Sequence, residues 1–198
     1  MIKNRQDYKE YVAADVAHSY VPQKSFLRFL YALHGNEQCN AFRYVKCLRE
    51  YEYHLNTGHR IRAAWYHFRL SRLGLRFGLR INPNCVGKGL NIIHIASGGV
   101  ILNCKSAGDF LRLQAGVVVG VVNTAQNSPI IGNYVSFGLG SKAFGKIQIG
   151  DFAKILPNAV VTHDVPEGAI VGGVPARFIR YQTEEEINEI KNRTNIKT

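Results

Sequence analysis

Histidines are the side chains of this 198-residue chain that are best suited to acid–base chemistry, because an unperturbed imidazole titrates near neutrality. His94 stands out because it follows the apolar run Gly-Leu-Asn-Ile-Ile and precedes the small, glycine-rich stretch Ala96–Gly99. An imidazole beside a loop can take the proton of a hydroxyl group as that group attacks an electrophile. His94 is therefore a candidate general base, and the alternative is a structural histidine at a bend of the chain. The remaining six are His18, His34, His54, His59, His67 and His163, of which five lie in the N-terminal part and the last in an exposed turn.

The four cysteines indicate neither a metal site nor a disulfide framework. They contain no C-x-x-C pair and no zinc-ligand spacing, and they are Cys39, Cys47, Cys85 and Cys104. We expect buried thiols in a reducing compartment, with the cytoplasm as the location, and we predict no metal.

The charge of the chain is strongly basic and uneven. The net charge is +11, and residues 1–80 contribute 14 Lys and Arg against 6 Asp and Glu. A basic surface can attract nucleic acid, anionic lipid or a phosphorylated small molecule. No nucleic-acid motif accompanies the charge, and no apolar run is long enough for a membrane span. The polar start of the chain also lacks the apolar region of a secretory signal.

A six-residue repeat dominates the second half of the sequence. Small, aliphatic or aromatic residues recur at every sixth position, with one step skipped at Ala125, and the series is Ile101, Ala107, Leu113, Val119, Ile131, Phe137, Ala143, Ile149, Ile155 and Val161. This period is neither that of a helix nor that of an ordinary strand. It is typical of a parallel β-helix in which each hexapeptide makes one side of a three-sided coil.

Two stretches interrupt the repeat and are candidates for functional loops. Ile95–Gly99 shifts the phase of the repeat between Ile92 and Ile101, and Val121–Ser128 is polar with poor strand propensity. Insertions into a solenoid leave one rung as loops while the stack continues beneath them. The histidine of interest lies beside the first interruption.

The segments outside the repeat are predicted to be helical. Four helices are expected before residue 78, near Gln6–Ser19, Lys24–Leu33, Asn40–Leu55 and His59–Phe77. The fourth has Ile61, Trp65 and Phe68 at helical spacing among several arginines, and we expect this apolar face to pack on a neighbour rather than on a membrane. Thr183 and Glu186 form a capping box for a short helix over Glu184–Asn192 that would cover the end of the stack. The predicted organisation is therefore 1–77 helical, 78–180 β-helix and 181–198 helix and tail.

The motifs of the coil resemble those of a known family. Three features resemble the hexapeptide-repeat acyltransferases, and within them the serine O-acetyltransferase branch. They are the hexapeptides, Gly-Lys-Gly-Leu-Asn-Ile-Ile-His at 87–94 and Gly-Gly-Val-Pro-Ala-Arg at 172–177. The resemblance implies a mainly β protein built on a left-handed parallel β-helix, a homotrimer, and acetyl-CoA as the acyl donor. It also implies that His94 is the catalytic base.

The same resemblance implies a set of binding residues. Four small residues stand where the family lines its CoA groove, and they are Gly120, Gly138, Gly140 and Ser141. Three cations are the phosphate partners implied for CoA, namely Lys142, Lys154 and Arg177. Asn103 is the expected substrate contact.

The chain departs from the family pattern at two positions. Arg80 stands where the serine enzymes carry the aspartate that pairs with the catalytic histidine, and Ser128 stands where they carry a second histidine. His94 therefore needs another orienting partner, for which a backbone carbonyl, Asn103 and an acidic group of a neighbouring subunit are the alternatives. These departures affect the expected acceptor more than acyl transfer itself.

Several functions remain open at this point. The first is O-acetylation of L-serine, and the second is O-acetylation of a sugar hydroxyl in surface polysaccharide synthesis. A non-catalytic β-helix scaffold or partner-binding subunit is the alternative from another class. A zinc β-helix of the carbonic-anhydrase type would need three converging histidines, and the coil offers only His94 and His163.

Overall fold

A computed structural model describes residues 1–124 and 126–194 of the chain. The skipped repeat position Ala125 and the last four residues of the predicted tail lie outside the described residues. Four helices precede the coil, close to the predicted segments, and one follows it: α1 Arg5–His18, α2 Ser25–Leu33, α3 Glu37–Asn56, α4 Arg60–Phe77 and α5 Glu184–Thr194.

Short strands build a three-sided solenoid between these helices. In chain order they are β1 Leu79–Ile81, β2 Asn91–Ile93, β3 Val100–Leu102, β4 Ser106–Ala107, β5 Arg112–Gln114, β6 Val118–Gly120, β7 Ile130–Ile131, β8 Ser136–Phe137, β9 Lys142–Phe144, β10 Gln148–Ile149, β11 Lys154–Ile155, β12 Val160–Val161, β13 Ala169–Gly172 and β14 Arg177–Tyr181. Side 1 consists of β1, β3, β6, β9 and β12, side 2 of β4, β7 and β10, and side 3 of β2, β5, β8, β11, β13 and β14. Neighbouring rungs pair in parallel, as the hexapeptide period predicts. We name the bends by the sides they join: the 1/2 corner, the 2/3 corner and the 3/1 corner.

The interior of the coil is filled by inward-pointing residues from each side of the rungs, often two that are spaced two positions apart, such as Val117 and Val119. On side 1 the paired column runs through Ile81, Leu102, Val119, Ala143 and Val161, all of which are buried. Ile101, the first residue of the repeat series, is not a core position, because it is 43% exposed and its neighbour Leu102 points inward. Leu102 lies five residues before Ala107, one fewer than the six-residue period. Counting back six residues from Ala107 therefore reaches Ile101 instead of the inward-pointing Leu102.

The two predicted interruptions are present, and they lie at different corners. Ile95–Ser97 forms a short 3-10 helix at the 3/1 corner between β2 and β3. The second interruption separates β6, which ends at Gly120, from β7, which begins at Ile130, and it projects at the 1/2 corner. The step from Val119 to Ile131 is twelve residues instead of six, so one whole hexapeptide has left the coil.

Side chains of α1 and α3 hydrogen-bond the open edge of the first rung. The amide of Ile81 donates to the Tyr44 hydroxyl at 3.0 Å, and the amide of Leu90 donates to Asp15 at 2.8 Å. Arg49 donates to the carbonyl of Val86 at 3.1 Å. An unpaired strand edge is costly when it is buried and prone to aggregation when it is not. The helices therefore close the first rung as well as pack on it.

Arg49 is the centre of a fully buried charge network. Its guanidinium lies 2.9 Å from Asp15 and 3.0 Å from Glu52, and all three side chains are at most 2% exposed. Burial by itself lowers the pKa of Arg49, but the two carboxylates outweigh it and the net shift is upward. The charges therefore persist inside the protein and join α1, α3 and the coil.

The C-terminal end differs in part from the prediction. The capping box is present, since the Thr183 amide donates to Glu186 at 2.8 Å and the Glu186 amide to Thr183 Oγ1 at 3.2 Å. However, β14 turns back antiparallel to β13, and α5 does not cover the end of the stack. It packs along the flank of the coil, where Lys191 lies over the Phe152 ring and the helix reaches α1.

The apolar stripe of α4 is also different from the prediction. Ile61 is 89% exposed, Trp65 58%, Phe68 57% and Leu75 85%, so this face does not pack on a neighbour within the described chain. The opposite face of α4 packs on α3 and carries the buried residues Ala63, Leu70 and Gly74, of which Ala63 and Gly74 are small enough to allow close packing. The helical N-terminal part, the parallel β-solenoid and the short C-terminal helix are confirmed.

Candidate active site

His94 lies at the 3/1 corner, where the chain leaves the first rung. The preceding strand β2 is buried along its whole length, and His94 then adopts a left-handed conformation with φ 62° and ψ 33°. This conformation is uncommon for residues other than glycine and ends the strand abruptly. The side chain is turned outward and is 52% exposed, so the imidazole is accessible to a ligand.

Glu37 is the acidic partner of His94. Its Oε1 lies 3.4 Å from Nδ1 of His94, and its Oε2 accepts from the amide of Ala96 at 3.4 Å. Glu37 is the first residue of α3, whose start is fixed by Asn36, because the Asn36 side chain accepts from the Cys39 amide at 2.9 Å. A capped helix end thus holds the carboxylate against both the imidazole and the 3-10 turn that follows it.

Glu37 is the acidic group that contacts His94, in a chain that lacks the family aspartate. Arg80, at the position of that aspartate, lies on the exposed surface of side 1. The partner is an acidic group, as one of the three alternatives proposed, but it comes from the helical part of the same chain. Sequence reasoning missed Glu37 because nothing in its spacing relates it to His94. Its position after an N-cap asparagine indicates only a favourable helix start.

Asn103 does not share a corner with His94. It follows β3 at the 1/2 corner, where its Oδ1 accepts from Asn82 Nδ2 at 2.8 Å. Ser128, which is buried, lies between β6 and β7 at the same corner. Within one chain, the predicted base and the predicted substrate contact therefore lie on different edges of the prism.

Two of the predicted groove glycines lie at the 3/1 corner, above His94. Gly140 has φ 66°, and a Cβ there would lie 2.4 Å from Oδ1 of Asn158. A Cβ on Gly138 would lie 2.6 Å from the backbone nitrogen of Pro157. These contacts require glycine for stacking of the rungs. Gly140 lies two rungs above the rung of His94, a separation of about 10 Å.

Ser141 and Lys142 continue from this corner with their polar atoms already bonded. Ser141 is fully buried, and its Oγ donates to the Gly138 carbonyl at 2.7 Å. Lys142 Nζ donates to the Gly140 carbonyl at 2.9 Å. Lys142 can leave this contact for a phosphate, whereas the Ser141 hydroxyl faces the interior.

The remaining predicted binding residues are dispersed. Gly120 ends β6 on side 1, and Lys154 projects outward from side 3. Arg177 is exposed on the terminal strand β14. One chain therefore gathers His94, Glu37 and the segment from Gly138 to Lys142 along the 3/1 corner and leaves Gly120, Lys154, Arg177 and Asn103 elsewhere.

The described residues contain no group of three or more His, Cys, Asp or Glu side chains that could hold a metal ion. Within the same residues, no helix combines the length and the apolar character needed to cross a membrane. All four cysteines are free and buried, as expected.

Comparison with known proteins gives a consistent result for this fold. No protein-family model matches the chain. It is 34% identical over 137 residues to a serine acetyltransferase of Mycobacterium tuberculosis, covering 64% of this chain and 59% of that protein. It is 37% identical over 105 residues to a serine acetyltransferase of Helicobacter pylori, covering 52% of this chain and 61% of that protein.

A solved structure supports the same assignment of fold. The serine acetyltransferase of Brucella abortus superposes with a TM-score of 0.70 and 24% identity, over 90% of this chain and 71% of the other. Fold and sequence together define a hexapeptide-repeat β-solenoid protein. The predicted resemblance to the hexapeptide-repeat acyltransferases, and within them to the serine acetyltransferases, is confirmed. The chain spans about three fifths of the length of these two curated relatives.

Proposed function

We propose that the protein is an acetyl-CoA-dependent O-acetyltransferase in which His94 is the general base and Glu37 is its positioning carboxylate. The observation that carries the proposal is the contact of 3.4 Å between the two side chains at the 3/1 corner, where the family resemblance implies the catalytic histidine. Similarity to serine acetyltransferases supports the reaction class. We assign catalysis to residues 78–180, with residues 1–77 as the helical part and 181–198 as the C-terminal helix and tail.

The proposed step is direct transfer within a complex of both substrates. Glu37 contacts Nδ1, which leaves Nε2 of His94 free to take the proton of the acceptor hydroxyl as its oxygen attacks the thioester carbonyl. The carbonyl oxygen gains negative charge in the tetrahedral intermediate. When the carbon–sulfur bond breaks, the ester is formed, the CoA sulfur leaves as thiolate, and the imidazolium returns the proton to it. The Glu37 carboxylate stabilises the imidazolium between these two transfers.

The proposed CoA groove follows the glycines of the 3/1 corner. Gly138 and Gly140 allow a pantetheine arm to approach the backbone, and Lys142 is the nearest cation for its phosphates. A serine acetyltransferase whose structure is described as a complex with CoA has the same fold, with a TM-score of 0.66 and 23% identity over 88% of this chain and 71% of the other. Only the family resemblance assigns the other predicted residues to CoA binding, and these are Gly120, Ser141, Lys154 and Arg177.

L-Serine is the first proposed acceptor, because the curated relatives are serine acetyltransferases. A sugar hydroxyl is the second candidate. Arg80 and Ser128, in place of the family aspartate and second histidine, favour it, since both departures concern the surroundings of the acceptor. A non-catalytic scaffold is the alternative from another class.

A homotrimer is the proposed assembly, in the cytoplasm. Ile61, Trp65, Phe68 and Leu75 form an exposed apolar stripe on α4, and a contiguous exposed apolar patch often marks a protein–protein contact. A neighbouring copy would cover it, and contact between copies would also allow the 1/2 corner of one chain, with Asn103, to approach the 3/1 corner of another. The site would then be completed between subunits.

The test is release of CoA thiol from acetyl-CoA with serine, other amino acids and sugars as acceptors. Turnover with serine supports the first acceptor, and turnover with a sugar alone supports the second. If no acceptor gives turnover and calorimetry detects no CoA binding, the enzyme proposal is wrong and the scaffold alternative stands.

A further inference from the structure

A cleft away from His94 lies between side 3 and α5. Its volume is about 280 Å³, and it is bounded by the end of α1, the outer face of side 3 and the inner face of α5. The floor carries the outward side chains of Arg112, Ser136 and Lys154, which are paired in register on three successive rungs. The cleft therefore presents a hydroxyl between two cations on a rigid sheet.

The carboxylates of the cleft are paired mainly with arginines outside the floor, and Lys154 makes only a weaker electrostatic contact with Glu186. Glu186 forms two hydrogen bonds with Arg180, at 2.7 and 2.8 Å, and Glu189 lies 3.1 Å from Arg193. Within residues 1–124 and 126–194, the buried Nε of Arg112 has no hydrogen-bond partner. A buried hydrogen-bond donor without a partner is rare in proteins and indicates that a ligand or a water molecule accepts its hydrogen bond.

A stack of aromatic rings forms one wall of the cleft. The centroids of Phe110 and Tyr134 are 5.0 Å apart, and those of Tyr134 and Phe152 are 4.8 Å apart, with nearly parallel planes. His18 closes one end of the stack and Lys191 the other. Because the ring faces cover each other, it is the ring edges that form the wall of the cleft. The edge of an aromatic ring carries partial positive charge.

We propose that this cleft binds a small organic anion whose carboxylate or phosphate group lies over Ser136, between Arg112 and Lys154. Arginine forms paired hydrogen bonds with either oxyanion. The apolar part of the ligand would pack on the edges of Phe110 and Tyr134. The volume limits the ligand to a small molecule, since it lies at the lower end of known ligand sites.

The cleft is separate from the proposed active site. It opens on side 3 toward the 2/3 corner, where the aromatic stack lies, whereas His94 lies at the 3/1 corner of the first rung. The proposal does not depend on the proposed acetyltransferase activity. Lys154 is shared with the expected CoA contacts, so the decisive variants are made at Arg112 and Ser136.

The test is calorimetry of the full chain with inorganic phosphate, phenyl phosphate and benzoate in a buffer without other polyvalent anions. Phenyl phosphate binding more tightly than inorganic phosphate supports the role of the aromatic wall, and benzoate distinguishes carboxylate from phosphate ligands. Arg112→Gln is expected to weaken binding by about 10–100-fold, as loss of hydrogen bonds to a charged group does. Ser136→Glu should abolish binding while keeping both cations, because it places a carboxylate between them.

Lys105→Gln is the matched control, since it removes one positive charge from an exposed position on another face. Circular dichroism of each variant shows whether the fold is retained. Binding that survives Ser136→Glu, or that falls equally with Lys105→Gln, would overturn the proposal. Absence of binding of all three probes at millimolar concentration would also overturn it.

Discussion

Nδ1 of His94 lies 3.4 Å from Oε1 of Glu37, and this contact joins the coil to the helical part of the chain at the candidate active site. The two residues are 57 positions apart in the sequence. The geometry is that of an imidazole held by a carboxylate, which fixes the ring and stabilises it when it accepts a proton. The helical part would thus contribute to the chemistry as well as to stability.

Glu37→Gln is expected to lower kcat by about 10²-fold, because the amide cannot stabilise the imidazolium and the ring loses its orientation. Acetyl-CoA affinity and the thermal midpoint should change little. Glu10→Gln, which makes the same chemical change at the exposed ion pair with Lys88, is the control. Equal kcat values for the two variants would show that Glu37 does not contribute to catalysis.

Arg49→Met is expected to destabilise the protein by about 3–5 kcal/mol, because it leaves Asp15 and Glu52 buried without their counter-charge. Urea unfolding at neutral pH measures the change. Arg62→Met, at an exposed position of α4, is the control and should stay within about 0.5 kcal/mol of wild type. A similar midpoint for both variants would contradict a structural role for the network.

Acidification should weaken the packing of α1 on the coil. Burial lowers the pKa of His18 and of His54, so between neutrality and their folded pKa the unfolded chain binds more protons. The free energy of unfolding should therefore fall as pH decreases from about 7. His18→Gln, which cannot titrate, should show a smaller fall between pH 7.5 and 5.5 in urea unfolding. An identical fall in both proteins would exclude His18 as a contributor.

The apolar stripe of α4 should control assembly. Light scattering on a sizing column is expected to give the mass of three chains for the wild type and a lower mass for Trp65→Ser with Leu75→Ser, because the stripe then loses its apolar area. Arg62→Gln on the same helix is the control. A single-chain mass for the wild type would contradict the trimer, and an unchanged trimer in the double variant would place the interface elsewhere.

Much of the architecture could be predicted from the sequence because the hexapeptide period reflects directly which residues point into the coil. The exact phase could not, since the step between Leu102 and Ala107 is shorter than the repeat. The exposed face of α4 was not foreseen, because helical periodicity gives two apolar faces without saying which one meets α3. Glu37 was not predictable for a related reason. Its contact with His94 depends on how α3 packs on the first rung, and no local pattern encodes that.

Thiol release from acetyl-CoA by wild type and His94→Ala tests the central claim most directly. With the acceptor that the wild type uses, the variant should lose kcat by about 10²–10⁴-fold. Its acetyl-CoA affinity and thermal midpoint should be retained, because the side chain is half exposed and outside the core. Unchanged turnover in a folded His94→Ala protein would contradict the role of His94 as the general base.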